Sequence, residues 1–493
     1  AIGTATDWRD PEAKPRQAWL FDYPAQCAIT TTQIFWTEET ETSLDEYEGG
    51  AEDAVKKYLQ RCTSDMHELI KLVYTKLSKP DRKKVISLIT MDVHARDMVD
   101  KLVKEKAAST LAFTWQMQMR LYFTPEDGVT SARIIDYRTF LSYEYLGNTG
   151  RLVITPLTDR CYITLCTALK LMLSGAPAGP AGTGKTETVK DLSRCFQIAI
   201  YVFNGSPQMN YQTIGDIFKG LAQSGTWGCF DEFNRISIEV LSVVATQVQC
   251  LQEGIKLFSV IANREEKYRG APPGMPPEKV GSVTLMGDLI GLIPTIGIYI
   301  TMNPGYAGRT ALPENLKTLF RSCAMIRPDL AIICEIMLMA EGFFEARVLA
   351  VKFIELYTLS GALLSPQPHY DWGLRAVRSV LVVAGILKRA SPEEPEEQVL
   401  MRALRDFNTP KIPAWDIPIF MRLMADLFPQ YIDSTPIQVD EDLKKKAITC
   451  AIESGLSPHP QLIAKVIQFQ ELLDVRHSVM LLGPAGCGKT AVW

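Results

Sequence analysis

The sequence lacks the features that would place it in a membrane, among disulfide-bonded secreted proteins or around a structural metal. It has no run of about 18 or more apolar residues, so no transmembrane helix is predicted. Its first residues carry no signal-peptide pattern, although a targeting segment could lie outside the chain. The 11 cysteines form no C-x-x-C pair and the five histidines are dispersed, which predicts the reduced, mostly buried thiols of a cytosolic protein. With 52 Lys and Arg against 56 Asp and Glu, no overall basic surface favours nucleic acid or a membrane as partner.

What the sequence does have is the composition of a large globular chain. Of its 493 residues, 47% are hydrophobic and 22% are charged, and the length predicts roughly three domains. Up to about residue 140, apolar residues recur every three or four positions over 51–77 and 81–104, which predicts amphipathic helices. We interpret these stripes as the core of a helical bundle with a mechanical or structural role.

From about residue 150 to 330, short apolar strands alternate with helices. The candidate strands are 171–176, 198–203, 226–230, 296–302 and 323–326. Strands separated by helical segments predict an α/β fold with a parallel sheet and crossover helices. The proline-rich stretch 268–280 is predicted to be an exposed insertion, and 330–359 and 374–387 are predicted to be helical.

A phosphate-binding pattern, G-x-x-x-x-G-K-[ST], occurs twice, 304 residues apart. The copies are Gly179, Pro180, Ala181, Gly182, Thr183, Gly184, Lys185 and Thr186, followed by Glu187, and Gly483, Pro484, Ala485, Gly486, Cys487, Gly488, Lys489 and Thr490. The backbone N–H groups of such a P-loop hold nucleotide phosphates, while the lysine reaches the β- and γ-phosphates and the threonine hydroxyl ligates Mg²⁺. The first copy lies between a strand and a helix, so we predict ATP or GTP binding. The second copy ends three residues before Trp493, and we expect one complete module plus the start of another, within a longer protein.

An acidic pair at a strand end supplies what hydrolysis requires. Strand 226–230 leads directly to Asp231 and Glu232, and Asp231 follows Lys185 by 46 residues. Asp231 would hold Mg²⁺, and Glu232 would orient and deprotonate the attacking water. An acidic pair with no function at a strand end is the alternative, which the preceding P-loop disfavours.

Two further residues have a functional and a structural interpretation. Asn303 follows strand 296–302, where its amide could bond the γ-phosphate or the lytic water, or could merely begin the turn before Pro304. Arg375 begins a predicted helix and could reach the γ-phosphate from a helical lid, or form a surface ion pair. The residues alone leave both alternatives open.

Longer stretches of the chain resemble AAA+ ATPases and, more narrowly, dynein heavy chains. The stretches FDEFNR (230–235), ITMNPGYAGR (300–309) and HYDWGLR (369–375) are similar to the first motor module of dyneins, and 142–147 and 152–160 to the segment that leads into it. Residues 19–26 and 32–36 resemble the linker, the mechanical arm of the motor. Residues 333–342 and 398–408 look most like axonemal, outer-arm-type chains.

The resemblance implies an AAA+ P-loop fold, with a parallel sheet flanked by helices and a helical lid, preceded by a mostly α-helical linker. The implied domains are the C-terminal part of the linker (1–145), the large α/β subdomain of the first module (146–330), its helical small subdomain (331–430) and the start of a second module (431–493). It also implies that Asn303 is the sensor-1 residue and Arg375 the sensor-2 residue. Ile154, Thr155 and Pro156 would line the adenine pocket.

The function implied is that of an ATPase fragment of a minus-end-directed ciliary motor, in which hydrolysis moves the linker and drives axonemal sliding. The implied catalytic residues are Glu232, Lys185, Asn303 and Arg375, and the cofactors are ATP or ADP with Mg²⁺. The implied partners are microtubules, through a stalk outside this chain, dynein intermediate and light chains, and other heavy chains. The location would be the axoneme of a cilium or flagellum, within the cytoskeleton of the cytoplasm.

Two alternatives stay open. The segment could be a structural AAA+ module that binds nucleotide without turnover, since the arginine finger that the second module would supply is missing from the fragment. It could also belong to another giant AAA+ remodelling ATPase, which the linker-like stretch 19–26 disfavours.

The chain departs from the family pattern in two places. The stretch 263–294 is longer and richer in proline than the short charged hairpin expected before Asn303, so linker coupling could differ here. The second P-loop has Cys487 and Thr490 where outer-arm relatives often look Ser-like, and both residues keep the P-loop pattern.

Overall fold

The computed structural model describes residues 16–264, 281–304, 312–431, 441–475 and 478–493. The chain divides into two compact units, residues 1–329 and 330–493, and each is described by itself. Within the described ranges, no helix is both long and apolar enough to span a lipid bilayer.

The described part of the first unit starts with helices, two of which correspond to the predicted stretches 51–77 and 81–104. They are α1 (Arg16–Trp19), α2 (Ala25–Glu48), α3 (Ala54–Val73), α4 (Lys79–Glu105) and α5 (Phe113–Gln116). Helix α4 starts after Ser78, whose hydroxyl accepts the Asp81 N–H at 3.2 Å and satisfies a donor that would otherwise lack a helical partner. Leu44, Val99 and Trp115 are buried together between these helices. The interpretation of the apolar stripes as core is confirmed.

The end of the region expected to be helical is a small antiparallel sheet. Strands β1 (Arg120–Thr124), β2 (Val129–Ile134) and β3 (Tyr137–Phe140) pair in the order β1-β2-β3. The turn between the first two contains Gly128 at a φ of 64°, a left-handed conformation that glycine adopts without steric cost. Leu121 of β1 is buried and donates its backbone N–H to the Thr37 hydroxyl of α2 at 3.2 Å. This turn and the short strands around it interrupt the helical pattern.

The rest of the first unit is the predicted α/β domain. Its helices are α6 (Pro156–Lys170), α7 (Lys185–Phe196), α8 (Tyr211–Ser224), α9 (Ile238–Arg264) and α10 (Glu314–Lys317). Its sheet contains β4 (Ser174–Ala178), β5 (Ile200–Asn204), β6 (Trp227–Asp231), β9 (Gly297–Ile300) and β10 (Phe320–Ala324). All neighbours are parallel, in the order β10-β4-β9-β6-β5. The α/β fold is confirmed, and the five strands lie within one to three residues of their predicted bounds.

A β-hairpin precedes β9. Its strands β7 (Gly281–Leu285) and β8 (Asp288–Leu292) join through Met286 and Gly287, which both have positive φ values, 54° and 89°, typical of a tight hairpin turn. Leu285 is buried in the core of the α/β domain. The stretch 263–294 therefore ends in a hairpin, and the proline-rich loop 268–280 lies outside the described residues.

The second unit is helical throughout its described part. Its helices are α11 (Leu330–Glu341), α12 (Ala346–Leu363), α13 (Leu374–Ala390), α14 (Glu396–Asn408), α15 (Ile417–Leu427), α16 (Glu441–Glu453), α17 (Pro460–Val475) and α18 (Lys489–Val492). The stretch predicted as one helical segment, 330–359, is two helices. Gly342 adopts a φ of 105° and the Phe343 N–H returns to the Leu338 carbonyl at 3.0 Å, which ends α11.

A buried ion pair holds the segment before α6 against α7. The Asp191 carboxylate on α7 accepts Arg151 Nε at 3.0 Å and Nη2 at 3.1 Å. It also accepts the Leu152 N–H at 3.2 Å and the Tyr162 hydroxyl at 2.7 Å. The Asp191 side chain is fully buried and that of Arg151 is 5% exposed. Because a buried charge is costly unless it is paired, all four contacts are needed to keep this carboxylate inside the protein.

We predict that Asp191→Ala lowers the free energy of unfolding of the first unit by about 3–5 kcal/mol, since it leaves the Arg151 charge buried without its partner. Urea denaturation followed by circular dichroism measures this change. Lys317→Ala is the control, because it removes an ion pair whose side chains are 48% and 87% exposed, and its denaturation midpoint should stay near that of the unsubstituted chain. Equal midpoints for the two variants would contradict the role assigned to Asp191.

Candidate active site

Strand β4 delivers the first P-loop to the carboxyl edge of the sheet, and α7 begins at its lysine. Gly182 and Gly184 have φ values of 78° and 81°, a left-handed conformation favoured by glycine. Gly179 has room only for a hydrogen, because a Cβ there would lie 2.1 Å from the carbonyl oxygen of Met325. The two glycines of the pattern and Gly182 between them therefore each meet a backbone requirement of the loop.

The P-loop lysine is held by the loop itself. Lys185 Nζ donates to the carbonyl oxygens of Gly179 at 2.9 Å and Pro180 at 2.6 Å, and the residue is 7% exposed. Carbonyl oxygens solvate the ammonium where water is largely excluded. An anionic ligand would replace neutral acceptors by charged ones, and hydrogen bonds between charged groups are the stronger kind.

The hydroxyl and the carboxylate predicted to hold Mg²⁺ are adjacent. Thr186 Oγ1 donates to Asp231 Oδ1 at 3.0 Å, and Asp231 is the last residue of β6. In the described part of the chain, no group of three or more His, Cys, Asp or Glu side chains could hold a metal by itself. The two oxygen ligands fit Mg²⁺, which usually binds one or two protein groups together with waters and substrate phosphates.

Both carboxylate oxygens of Glu232 have partners. Asn303 Nδ2 donates to Oε1 at 3.1 Å, and Arg235 Nε lies 2.6 Å from Oε2. The structure thus brings Glu232 and Asn303 into contact, while their roles stay predictions. Sequence reasoning missed Arg235, although its place three residues after Glu232 was a usable signal.

The backbone around the acidic pair is unusual and closely fitted. Glu232 is in the left-handed region, at φ 53°, which costs a residue with a side chain about 1–3 kcal/mol. A Cβ on Gly205, which follows β5, would lie 2.7 Å from the Glu232 carbonyl oxygen. The Gly205 N–H also donates to the Asp231 carbonyl at 2.7 Å. Strained residues of this kind concentrate at functional sites.

The residues predicted to line an adenine pocket lie at the start of α6. The Thr155 hydroxyl accepts the Thr158 N–H at 3.4 Å and caps the helix, with exposed Pro156 in the first turn. Ile154 is half-buried and lines a cavity of about 30 Å³ that it shares with residues of α2 and α4. The ion pair of Arg151 ties this segment to the P-loop helix, and contact with adenine stays a prediction.

Two other predicted site residues, Glu187 and Arg375, are exposed. Glu187, in the first turn of α7, is exposed and lies 2.8 Å from Lys190 in an ion pair. Arg375 is exposed in the first turn of α13, in the second unit, and its sensor role stays a prediction.

The second P-loop has the same local geometry as the first. Gly486 and Gly488 have φ values of 77° and 83°, and Lys489 Nζ donates to the carbonyls of Gly483 at 2.8 Å and Pro484 at 2.7 Å. The loop differs in burial, because Cys487 and most of its neighbours are exposed, and residues 478–493 as described contain no strand. The loop conformation is therefore formed without a sheet around it.

Two buried thiols of the α/β domain have a raised pKa. Burial raises the pKa of Cys229, two residues before Asp231, to about 12, and the pKa of Cys195 at the end of α7 to about 11. Since the thiolate is the nucleophile, a raised pKa makes these two cysteines less reactive than an exposed thiol of ordinary pKa.

A family profile described as "Hydrolytic ATP binding site of dynein motor region" matches residues 141–490. The chain is 55% identical over 98% of its length to "Dynein beta chain, ciliary" of Heliocidaris crassispina, and 54% identical over 98% to "Dynein axonemal heavy chain 17" of Homo sapiens. It is 47% identical over 97% of its length to "Dynein beta chain, flagellar outer arm" of Chlamydomonas reinhardtii. The chain spans about a tenth of the length of these relatives, 10% in each case. The solved structure of the RuvB Holliday junction branch migration motor of Thermotoga maritima matches with a TM-score of 0.32 and 11% identity, over 64% of this chain and 86% of that one.

We predict that N-ethylmaleimide labels Cys487 far faster than Cys229 at pH 8. Cys487 is exposed, whereas Cys229 is fully buried and burial raises the pKa of its thiol to about 12, so that little of it is the reactive thiolate at that pH. Peptide mass spectrometry over time gives both rates. Excess ATP should slow the labelling of Cys487 and leave exposed Cys450 of α16 unaffected. Equal labelling of Cys487 with and without ATP would contradict nucleotide binding at the second loop.

Proposed function

The chain belongs to the family of dynein motor regions, and from this membership we propose that residues 146–430 form an ATP-hydrolysing module of a microtubule motor. The observation that carries the proposal is the convergence of Lys185, Thr186, Asp231, Glu232 and Asn303 at one edge of the parallel sheet. Each of these side chains is within hydrogen-bonding distance of another or of the P-loop backbone.

The chemistry follows from these positions. Lys185 exchanges its loop carbonyls for phosphate oxygens and stabilises their negative charge. Thr186 and Asp231 would hold Mg²⁺, which would neutralise charge on the phosphates. Glu232 takes the proton of the attacking water, and its carboxylate becomes a stronger base when a donor such as Asn303 turns away from it. Asn303 is placed to do so, because an amide that turns to the γ-phosphate or the water frees the base.

A mechanical coupling is supported by the contacts between the helical segment and the module. Gln197, which follows the P-loop helix, donates to the Thr30 hydroxyl of α2 at 2.9 Å. The Leu146 N–H donates to the Gln26 side chain, also on α2, at 2.8 Å. Ile34 of α2 is buried in the core that contains the end of α7. We propose that residues 1–145 are the C-terminal part of a linker and that nucleotide turnover moves it through this shared core.

The wider role is proposed from the relatives, which are named ciliary, axonemal and flagellar. The whole protein would be a minus-end-directed motor of the axoneme in a cilium or flagellum, with ATP or ADP and Mg²⁺ as ligands. Its partners would be microtubules, intermediate and light chains and other heavy chains. The second module would begin at about residue 431, Ile154, Thr155 and Pro156 would contact adenine, and Arg375 would act as sensor 2.

A second candidate function is nucleotide binding without turnover in this chain. The observation that favours it is the pairing of both Glu232 oxygens, with Asn303 and with Arg235. In that state the carboxylate is held by two donors, and a base so held is a poor acceptor for the proton of water.

We predict that Lys185→Ala weakens Mg²⁺-ATP binding roughly 10- to 100-fold, the size expected for losing one hydrogen bond between charged groups. Glu232→Gln should keep the affinity and reduce single-turnover hydrolysis about 10²–10⁴-fold, since the amide cannot accept the proton. Isothermal titration calorimetry gives the affinity, and phosphate release after mixing gives the rate. Lys489→Ala makes the same change in the exposed second loop and should weaken only the ATP bound there, so it distinguishes the two sites.

Three results decide between the proposals. Binding that Lys185→Ala leaves intact and Lys489→Ala abolishes would assign nucleotide to the second loop instead of the first. Turnover by Glu232→Gln at the rate of the unsubstituted chain would exclude Glu232 as the base. Tight binding with no measurable turnover by any variant would support the second candidate function.

A further inference from the structure

Thr301 contacts both acidic residues of the site, and neither sequence pattern nor family resemblance singled it out. It directly follows β9 and is completely buried. Its hydroxyl is hydrogen-bonded to Asp231 Oδ1 and also accepts the Glu232 N–H at 3.2 Å. One oxygen atom therefore bridges the predicted metal ligand and the backbone of the predicted base.

The donor and the acceptor in each of these two hydrogen bonds follow from the groups that meet. The Glu232 N–H can only donate, so it uses a lone pair of the threonine oxygen. The ionised Asp231 carboxylate can only accept, so it takes the hydroxyl proton. A side chain at this position must donate once and accept once, which a hydroxyl does and an alkyl group does not.

The backbone of Thr301 holds the same turn. Its N–H donates to the Phe230 carbonyl at 2.9 Å, and its carbonyl accepts the Phe233 N–H at 3.1 Å. The two backbone bonds flank the two side-chain bonds, so Thr301 holds the turn from Phe230 to Phe233 at four points. The left-handed conformation of Glu232 lies in the middle of this turn, and strained conformations persist only where the surroundings enforce them.

We propose that Thr301 is a positioning residue of the ATPase site, whose hydroxyl holds the Asp231 carboxylate and the Glu232 backbone in a fixed mutual orientation. The inference rests on the proposed ATPase function and deepens it. Thr301 contacts neither nucleotide nor water in this role. It orients the Asp231 carboxylate that would bind Mg²⁺. It also fixes the backbone position from which the Glu232 side chain extends.

The test separates the hydroxyl from the shape of the side chain. Thr301→Val keeps the branched shape and removes the hydroxyl, whereas Thr301→Ser keeps the hydroxyl and removes the methyl group. The matched control is Thr295→Val near the opposite end of β9, where the Thr295 hydroxyl donates to the Gly225 carbonyl at 2.8 Å, far from any carboxylate of the site. All variants are made in the 493-residue chain.

The primary readout is the affinity for ATP with Mg²⁺ divided by the affinity for ATP in EDTA. Thr301→Val is expected to lower this ratio about tenfold or more, as for the loss of a hydrogen bond to a charged group, and to leave the EDTA affinity within about twofold. Single-turnover hydrolysis should fall by a similar factor. Thr301→Ser and Thr295→Val should both keep the ratio of the unsubstituted chain. A purely structural role would change thermal stability without changing the ratio.

The inference is overturned if Thr301→Val keeps the affinity ratio of the unsubstituted chain. It is also overturned if Thr301→Ser lowers this ratio as much as Thr301→Val does. If Thr301→Val unfolds below the assay temperature, Thr301→Cys replaces it in the test. The thiol is a much weaker hydrogen-bond donor of similar volume, so the same decrease of the affinity ratio is expected. A normal ratio in Thr301→Cys would then overturn the inference. If the unsubstituted chain shows no Mg²⁺-dependent ATP binding, the proposed function itself fails, and the inference with it.

Discussion

The backbone hydrogen bonds of strand β9 are the constraint on which the site depends. This strand lies between β4, which carries the P-loop, and β6, which carries the acidic pair. Its pairing continues past the regular strand, since the Gly179 N–H donates to the Met302 carbonyl at 3.1 Å and the Met302 N–H to the Pro177 carbonyl at 3.1 Å. Parallel pairing sets the carboxyl ends at one edge, and a slip of one residue would turn Thr301 and Asn303 away from their partners.

The charged side chains of the site already have hydrogen-bond or ion-pair partners within the protein. Lys185 bonds to its own loop, and Glu232 to Asn303 and Arg235. A ligand therefore enters by exchange of partners, which couples its arrival to a rearrangement of side chains at the ends of two strands. The buried ion pair between Asp191 and Arg151 ties the middle of the P-loop helix to the segment before α6.

The predictions failed where a local signal was weak or a tertiary contact overrode it. The strand ends moved by one to three residues because the apolar runs do not mark where hydrogen bonding stops. The helical segment 330–359 is broken at Gly342, whose positive φ the spacing of apolar residues does not reveal. The strands around residues 120–140 are short and pair only with each other, so their apolar residues are too few for a distinct period.

The sequence by itself determined the parts of the site that have a local cause. Gly182 and Gly184 are required by φ angles within the P-loop, and the acidic pair follows the end of one strand, whereas Gly179 is required by its close approach to Met325. Only the tertiary structure decided which side chains hold those groups. Thr301 lies 70 residues from Asp231, and Arg151 lies 40 residues from Asp191, so no spacing along the chain marks either pair. These residues meet because of the order of the strands in the sheet and the placement of the helices. Both depend on the burial of apolar side chains over the whole domain and not on any short sequence pattern.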